Sequence, residues 1–185
     1  TRSFATYGAG LLIKLSRKAG ASMRLTAAIR RVLNEPSKHG RNLMVASIEA
    51  LALFPRDWRS RAAATLRDSI VEDLGLYYDR DLGAGDQLIQ AHVPTAIARL
   101  LDRDTIVAAK WRERFSGDLR AGLRSSMRGS GKVNHHIAQS CAMALGLMCT
   151  PWEDDNSASR QIGELLVDVH RDHRDQQTRS FAVLS

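Results

Sequence analysis

The chain of 185 residues is basic, because 27 lysines and arginines against 20 aspartates and glutamates leave a formal net charge of +7. Its apolar fraction of 44% is ordinary for a folded protein, and no run approaches the roughly 18 apolar residues of a membrane span. No stretch alternates apolar and polar residues with β-branched enrichment, so the pattern excludes a β fold and predicts an all-α protein.

Apolar residues at helical spacing predict helices along the whole chain, with glycine or proline at the breaks between them. Gly20 and Pro36 stop the first two helices, and Pro55 and Pro151 stop two later ones. The predicted helices are 2–18, 22–34, 41–54, 57–74, 86–101, 104–127 and 134–149, followed by a last pair that begins at a cap signal near 155–157 and runs to the end.

The first of these helices has one strongly apolar face. Its members are Phe4, Gly8, Leu11, Leu12 and Leu15. Residues at this spacing share one side of a helix, so the face is a candidate for packing.

Pro94 makes the boundaries of the helix predicted over 86–101 ambiguous. Proline is accepted in the first turn of a helix but kinks the interior. It therefore either begins the true helix near Val93 or bends a longer one.

A row of residues four apart marks the buried side of the helix predicted over 104–127. The row consists of Trp111, Phe115, Leu119, Leu123 and Met127. Four-residue steps drift slowly around a helix, so the row is interpreted as a core stripe.

An identical phrase at both ends of the chain indicates an internal repeat. The phrase Thr-Arg-Ser-Phe-Ala occupies 1–5 and 178–182. Three degenerate copies lie between, each a helix with small residues three apart and a small-apolar-small triplet further on. The anchors of the five copies are Arg2, Met44, Gln90, Ala138 and Arg179. Their spacings of 42, 46, 48 and 41 residues are at or close to the roughly 40–47-residue period of two-helix repeats.

Two phrases carry a resemblance to a known family. Residues 2–12, with the pattern Arg-x-x-Ala-x-x-Gly-Ala-Gly-Leu-Leu, and Ser140-Cys-Ala-Met-Ala-Leu-Gly-Leu147 resemble the second helices of bacterial HEAT repeats. The resemblance implies an α-solenoid of about four to five antiparallel helix pairs. It implies one repeat domain over 1–185, with units of roughly 1–18, 22–55, 57–102, 104–150 and 156–185. Because the chain starts with Thr and ends inside a helical phrase, we expect it to be a segment of a longer protein.

The sequence predicts no catalytic or metal site. The loop Gly129-Ser-Gly-Lys132 lacks the preceding Gly and following Ser or Thr of a phosphate-binding loop. His170 and His173 would share a helical face, but no cysteine or carboxylate motif accompanies them at a fixed spacing. The adjacent pair His135 and His136 has no such motif either. Neither a metal nor a cofactor is therefore predicted.

Enzymatic relatives of the HEAT architecture do not fit residue by residue. HEAT-type di-iron hydroxylases carry His-Glu pairs, which this sequence lacks. HEAT-like alkylpurine DNA glycosylases carry an acid one helical turn after an aromatic residue. The positions four after the three tryptophans are Ala62, Phe115 and Asn156, and none is acidic. We expect a protein without enzymatic activity.

The resemblance also indicates where a partner would bind, because partners of HEAT arrays more often lie in the groove lined by second helices. The candidate partner-binding residues on these helices are Asn42, Glu49, Gln90 and Gln139. The predicted function is a scaffold that binds another protein along an extended surface.

The alternative function comes from a basic row one turn apart. Arg120, Arg124 and Arg128 form one stripe, and Lys132 continues it into the next loop. Such a row could track phosphates, which would make the chain a nucleic-acid-binding protein or a DNA-base-processing enzyme. The competing interpretation is a solvated face, since arginine stems also cover flanking apolar surface.

The two cysteines bear weakly on location. Cys141 and Cys149 are eight residues apart, about 12 Å of helical rise, which is too far for a disulfide. Both are interpreted as small apolar residues of a reducing compartment, which favours a cytoplasmic location.

Overall fold

A computed structural model describes residues 2–16, 19–58, 60–83, 85–128, 134–149 and 157–185. Within these ranges the chain is helical and has no strand, which confirms the all-α prediction. The helices are α1 Arg2–Leu15, α2 Ala19–Asn34, α3 Arg41–Leu51, α4 Arg61–Tyr78, α5 Gln87–Gln90, α6 Val93–Leu100, α7 Ile106–Arg128, α8 His135–Met148, α9 Ser157–Asp172 and α10 Gln176–Leu184. None of these described helices is both long and apolar enough to cross a membrane.

Capping residues explain where several helices begin. Ser60 accepts a hydrogen bond from the backbone N–H of Ala63 at 3.2 Å, so α4 starts four residues later than predicted. Asn134 caps α8 in the same way through the N–H of Ile137. Pro94 lies in the first turn of α6, where its missing N–H leaves no hydrogen bond unmade. It therefore begins a helix after the separate turn α5.

The chain divides into two compact units, residues 1–100 and 101–185. The boundary falls at the end of α6, between the third and fourth predicted pairs. In the first unit, α2 packs against α3 and α4 packs against α6, as the predicted pairs require. In the second unit the corresponding pairs are α7 with α8 and α9 with α10. A single domain over the whole chain remains a prediction.

Within each unit, first helices of the pairs also pack against first helices, and second helices pack against second helices. The first helices of the pairs make the contacts α2 with α4 and, in the other unit, α7 with α9. The second helices make the contacts α1 with α3, α3 with α6 and α8 with α10. Each unit therefore has one layer of first helices and one layer of second helices, which is compatible with a helical repeat fold.

Small residues of the repeated triplet let the second helices approach closely. A methyl group added at Gly10 would lie only 2.7 Å from the Cα of Ala50, the first residue of the triplet in the next copy. In the second unit, a methyl group at Gly146 would collide with the backbone of Ser185. The triplet thus marks the contact between successive second helices.

The apolar face predicted for α1 is not the face that packs. Phe4 is 85% exposed and Leu15 is 77% exposed, whereas Gly10 and Ile13 are buried. A second helix lies between neighbours on two sides, so its sequence is apolar on two sides. In α1 the side toward α2 and α3 is covered, and the leucine side is exposed.

The core row of α7 was predicted correctly only in its middle. Phe115 and Leu119 are fully buried, but Met127 is 52% exposed. Instead of Met127, the neighbouring Ser126 is buried, seven residues after Leu119. Two turns of an α-helix span 7.2 residues, so a seven-residue step follows a straight contact line better than two four-residue steps.

We predict opposite effects for two alanine substitutions in α1. Gly10→Ala should destabilise the first unit by about 1–3 kcal/mol, because the new methyl group meets the backbone of α3. Gly8→Ala is the matched control, since an added Cβ there meets nothing within 4 Å. It should stabilise α1 by up to about 1 kcal/mol through helix propensity. Urea denaturation followed by circular dichroism measures both, and equal effects would contradict the proposed contact.

Candidate functional site

Three polar side chains join the second helices of the first unit. Glu49 on α3 accepts a hydrogen bond from Nδ1 of His92 at 3.0 Å, and its other oxygen accepts one from Arg99 on α6 at 3.1 Å. The hydrogen bond from His92 lowers the pKa of Glu49 below its usual value against the opposing effect of burial, and Arg99 lowers it further. Glu49 is thus a partly exposed carboxylate tied to α6.

Gln90 is bound inside the protein. Only 4% of it is exposed, and its amide nitrogen donates to the carbonyl oxygens of Tyr77, Tyr78 and Arg80 at 3.3, 3.0 and 2.7 Å. These carbonyls belong to the last turn of α4 and the residues after it, where the regular hydrogen bonding of the helix ends. The side chain predicted to face a partner therefore closes the end of α4.

A groove opens between the second helices α8 and α10 of the second unit. Its volume is about 450 Å³, and it is lined by Gln139, Gln176, Gln177, Ser180, Phe181 and Leu184. The exposed amides of Gln176 and Gln177 each offer both a donor and an acceptor, and the aromatic ring and the leucine add apolar surface. The groove can therefore take a ligand that is partly apolar and partly rich in hydrogen-bonding groups.

Asp175 holds one wall of this groove. Its Oδ2 accepts hydrogen bonds from the backbone N–H and the hydroxyl of Thr178, both at 2.7 Å, and so caps α10. The same oxygen accepts from the amide of Gln139 on α8 at 3.2 Å. Burial alone would raise the pKa of Asp175, but these hydrogen bonds outweigh it and hold the pKa below its usual value. One carboxylate therefore links α8 to the start of α10.

Two imidazoles lie beside Asp175. Nitrogens of His135 and His173 and an oxygen of Asp175 lie within 4.8 Å of one another, an arrangement that could hold a metal ion. The rings of the two histidines are edge to face, with centroids 5.7 Å apart. Among the described residues, neither Nδ1 of His135 nor Nε2 of His173 has a hydrogen-bond partner, although both atoms are buried.

Three features of this cluster oppose a cation. The N–H of Asp175 donates to Nδ1 of His173 at 3.1 Å, so in the neutral ring the proton is on Nε2. The lone pair of Nδ1 accepts this hydrogen bond and Nε2 carries the proton, so neither nitrogen of His173 has a lone pair left for a metal. Oδ2 of Asp175 already accepts three hydrogen bonds. Both α8 and α10 begin at the cluster, and helix N-termini carry partial positive charge.

The basic row of α7 lies on the surface. Arg120, Arg124 and Arg128 are exposed, and no ion pair joins them to other described residues, whereas the nearby Arg114 is paired with Asp118. Lys132 lies outside the described residues. The row belongs to a first helix, so it is not part of the surface formed by the second helices.

The four residues predicted for partner binding thus have different positions. Asn42 is exposed at the start of α3 and Glu49 is half-buried, while Gln90 and Gln139 are buried and their amides are bound internally. Binding by any of them remains a prediction. The sequence analysis missed His92, Arg99 and Asp175, and only the Asp-x-x-Thr capping pattern at 175–178 marked one of them.

No family model, no curated protein and no solved structure matches this chain. The resemblance to HEAT repeats is therefore still a prediction from sequence motifs. The function of the chain has to be inferred from its own side chains.

We predict that Glu49→Gln flattens the acid limb of the stability profile. The pKa of Glu49 is lowered in the folded state, so its ionised form stabilises the fold above its usual pKa of about 4.3, and this contribution is lost as the pH falls through the folded value. The urea midpoint of the wild type should therefore fall more steeply than that of the variant between about pH 5 and about pH 3. Glu72→Gln, at an exposed site on α4, is the control. Parallel profiles for wild type and Glu49→Gln would show that the contacts of Glu49 do not stabilise the fold.

Proposed function

We propose that the chain is a non-enzymatic scaffold built from HEAT-like helix pairs, and that it binds a segment of a partner protein along its second helices. The observation that carries this proposal is the groove between α8 and α10. It combines three glutamine amides with the side chains of Phe181 and Leu184. A polypeptide presents the same combination, with backbone amides beside apolar side chains.

The packing within each unit supports the repeat architecture. The second helices stack on one another through the small residues Gly10, Ala50 and Gly146, and the first helices form the other layer. An α-solenoid forms when such pairs stack in one direction, and the stacked second helices then present one continuous surface. We infer that both units are stretches of such a solenoid and that no cofactor takes part in binding.

The exposed residues of the first unit suit the same role. The ends of His92 and Arg99 reach the surface beside Glu49, and Asn42 is exposed two turns earlier on α3, so hydrogen-bonding groups of both charge signs are present on these helices. Polar groups of this kind give register and specificity more than affinity. The apolar part of the α8–α10 groove would supply the affinity.

We expect a peptide library displayed on phage to yield ligands for the chain that require the groove. Ser180→Trp places an indole in the groove and should weaken binding of a selected peptide at least about tenfold, or about 1.4 kcal/mol, measured by fluorescence anisotropy. Gln161→Trp, on an exposed position of α9, is the control and should leave the affinity within about twofold. Failure to select any peptide, or equal binding to both variants, would overturn the proposal.

A second function is favoured by the row of exposed arginines on α7. Arg120, Arg124 and Arg128 rise about 6 Å from one to the next and have no ion pair with described residues, so they present three charges along about 12 Å. A polyanion such as single- or double-stranded nucleic acid would bind them with a strong dependence on salt. This row lies on the first helix α7, whereas the peptide groove lies between the second helices α8 and α10, so both surfaces could act in one protein.

We predict that this row decides any affinity for nucleic acid. Replacing Arg120, Arg124 and Arg128 together with Ala should lower the slope of log affinity against log salt by about 2–3, because about 0.7–0.9 counterion is released per phosphate contact. The control replaces Arg24, Arg31 and Arg61, exposed residues of the first unit, and changes the net charge equally. Anisotropy of labelled DNA across salt concentrations gives both slopes. Equal losses in the two variants would mean that the charge acts only globally.

A further inference from the structure

The junction between α9 and α10 contains a buried imidazole with one hydrogen bond. His173 is 2% exposed, and its Nδ1 accepts the N–H of Asp175. The ring is therefore neutral, with its proton on Nε2, a buried atom without a partner among the described residues. Leaving a buried donor unpaired costs free energy, so this junction is less stable than a fully bonded one would be.

A second proton on His173 would disturb its contact with Asp175. The only nitrogen free to take the proton is Nδ1, which now accepts from the Asp175 N–H at 3.1 Å. After protonation, the new N–H at Nδ1 of His173 and the backbone N–H of Asp175 would be two donors facing each other. A carboxylate oxygen of Asp175, in the same cluster within 4.8 Å, is an acceptor for the new N–H.

That carboxylate is already in use. Oδ2 of Asp175 caps α10 through Thr178 and holds Gln139 on α8. If Oδ2 itself turned toward a protonated His173, it would release both. Among the described residues the groove is lined by Gln139 of α8 and by residues of α10, and this carboxylate binds both Gln139 and the start of α10.

The groups that surround His173 favour its neutral form at neutral pH. From α8 it faces His135, and from the start of α10 it faces Asp175. From α7 the neutral Ser126 hydroxyl accepts the N–H of Arg174, and on α9 itself His170 is exposed and lies near the carbonyl of Arg179. Burial lowers the pKa of His173, His135 lowers it further, and Asp175 opposes them.

We propose that His173 is a proton-sensitive latch on the groove between α8 and α10, closed when the ring is neutral and open when it is protonated. As a regulator of peptide binding the latch rests on the proposed function, but as a property of the α9–α10 junction it stands alone. The closed state is fully stable above the usual histidine pKa of about 6.5 and weakens as the pH falls below it. Asp175 would titrate only at a lower pH.

Hydrogen exchange of the full chain at pH 7.5 and pH 5.5, corrected for the intrinsic exchange rates, tests the latch without any ligand. We expect the protection of the α10 amides to fall about three- to tenfold at the lower pH, about tenfold being the limit for one histidine with a pKa of about 6.5 in the open state, while that of the α3 amides stays within about twofold. His173→Asn keeps an acceptor for the Asp175 N–H but does not titrate in this range, so its α10 protection should be nearly equal at both pH values. His136→Asn, at the exposed neighbour of His135, is the control and should keep the wild-type response.

Two results would overturn the latch. One is wild-type α10 protection that is equal at both pH values, and the other is an equal loss in His173→Asn. If His173→Asn does not fold, the ring of His173 in the wild type is titrated by NMR, and a pKa at or above the usual histidine value also overturns the proposal. A selected peptide that binds equally at both pH values, despite opened α10 amides, would instead count against the α8–α10 groove as the binding site.

Discussion

The close approach of successive second helices is the constraint on which the rest of the structure depends. At Gly10 and Gly146 the neighbouring backbone occupies the space that a side chain would need. Backbones this close leave room only for small residues, so the triplets of the repeat recur where the helices cross. Once the second helices are stacked, the first helices have one remaining face to cover and form the other layer of each unit.

Polar side chains then join helices that packing alone would leave free to slide. Gln90 binds the end of α4, Asp175 binds α8 and α10, and Glu49 binds α3 and α6. Two of these residues had been assigned to partner binding because they were polar and lay on second helices. A buried amide with three acceptors stabilises the fold, and binding of a partner by Gln90 or Glu49 remains a prediction.

The distribution of charge separates two kinds of surface. Where the structure describes them, the second helices present amides together with the ion-paired Glu49, and this is the surface for which we propose a polypeptide ligand. The row on α7 presents arginines on a first helix, where a net charge of +7 for the whole chain gives them a favourable long-range field for polyanions. The His173 junction adds a titratable group inside one of these surfaces, so the two surfaces would respond differently to salt and to pH.

Local chemistry allowed the sequence by itself to determine the all-α class, most helix positions and the stops at Pro36 and Pro55. The stop predicted at Gly20 was wrong, because Gly20 lies inside α2, and the repeat spacing remains a prediction. Helix periodicity, proline and glycine act over a few residues and need no partner to be recognised. The tertiary structure decided which face of α1 is buried, why Met127 leaves the core, and that His173 meets His135 rather than His170. These outcomes depend on contacts between residues that are tens of positions apart, and a second helix that is apolar on two sides contains no local signal for which side its neighbours will cover.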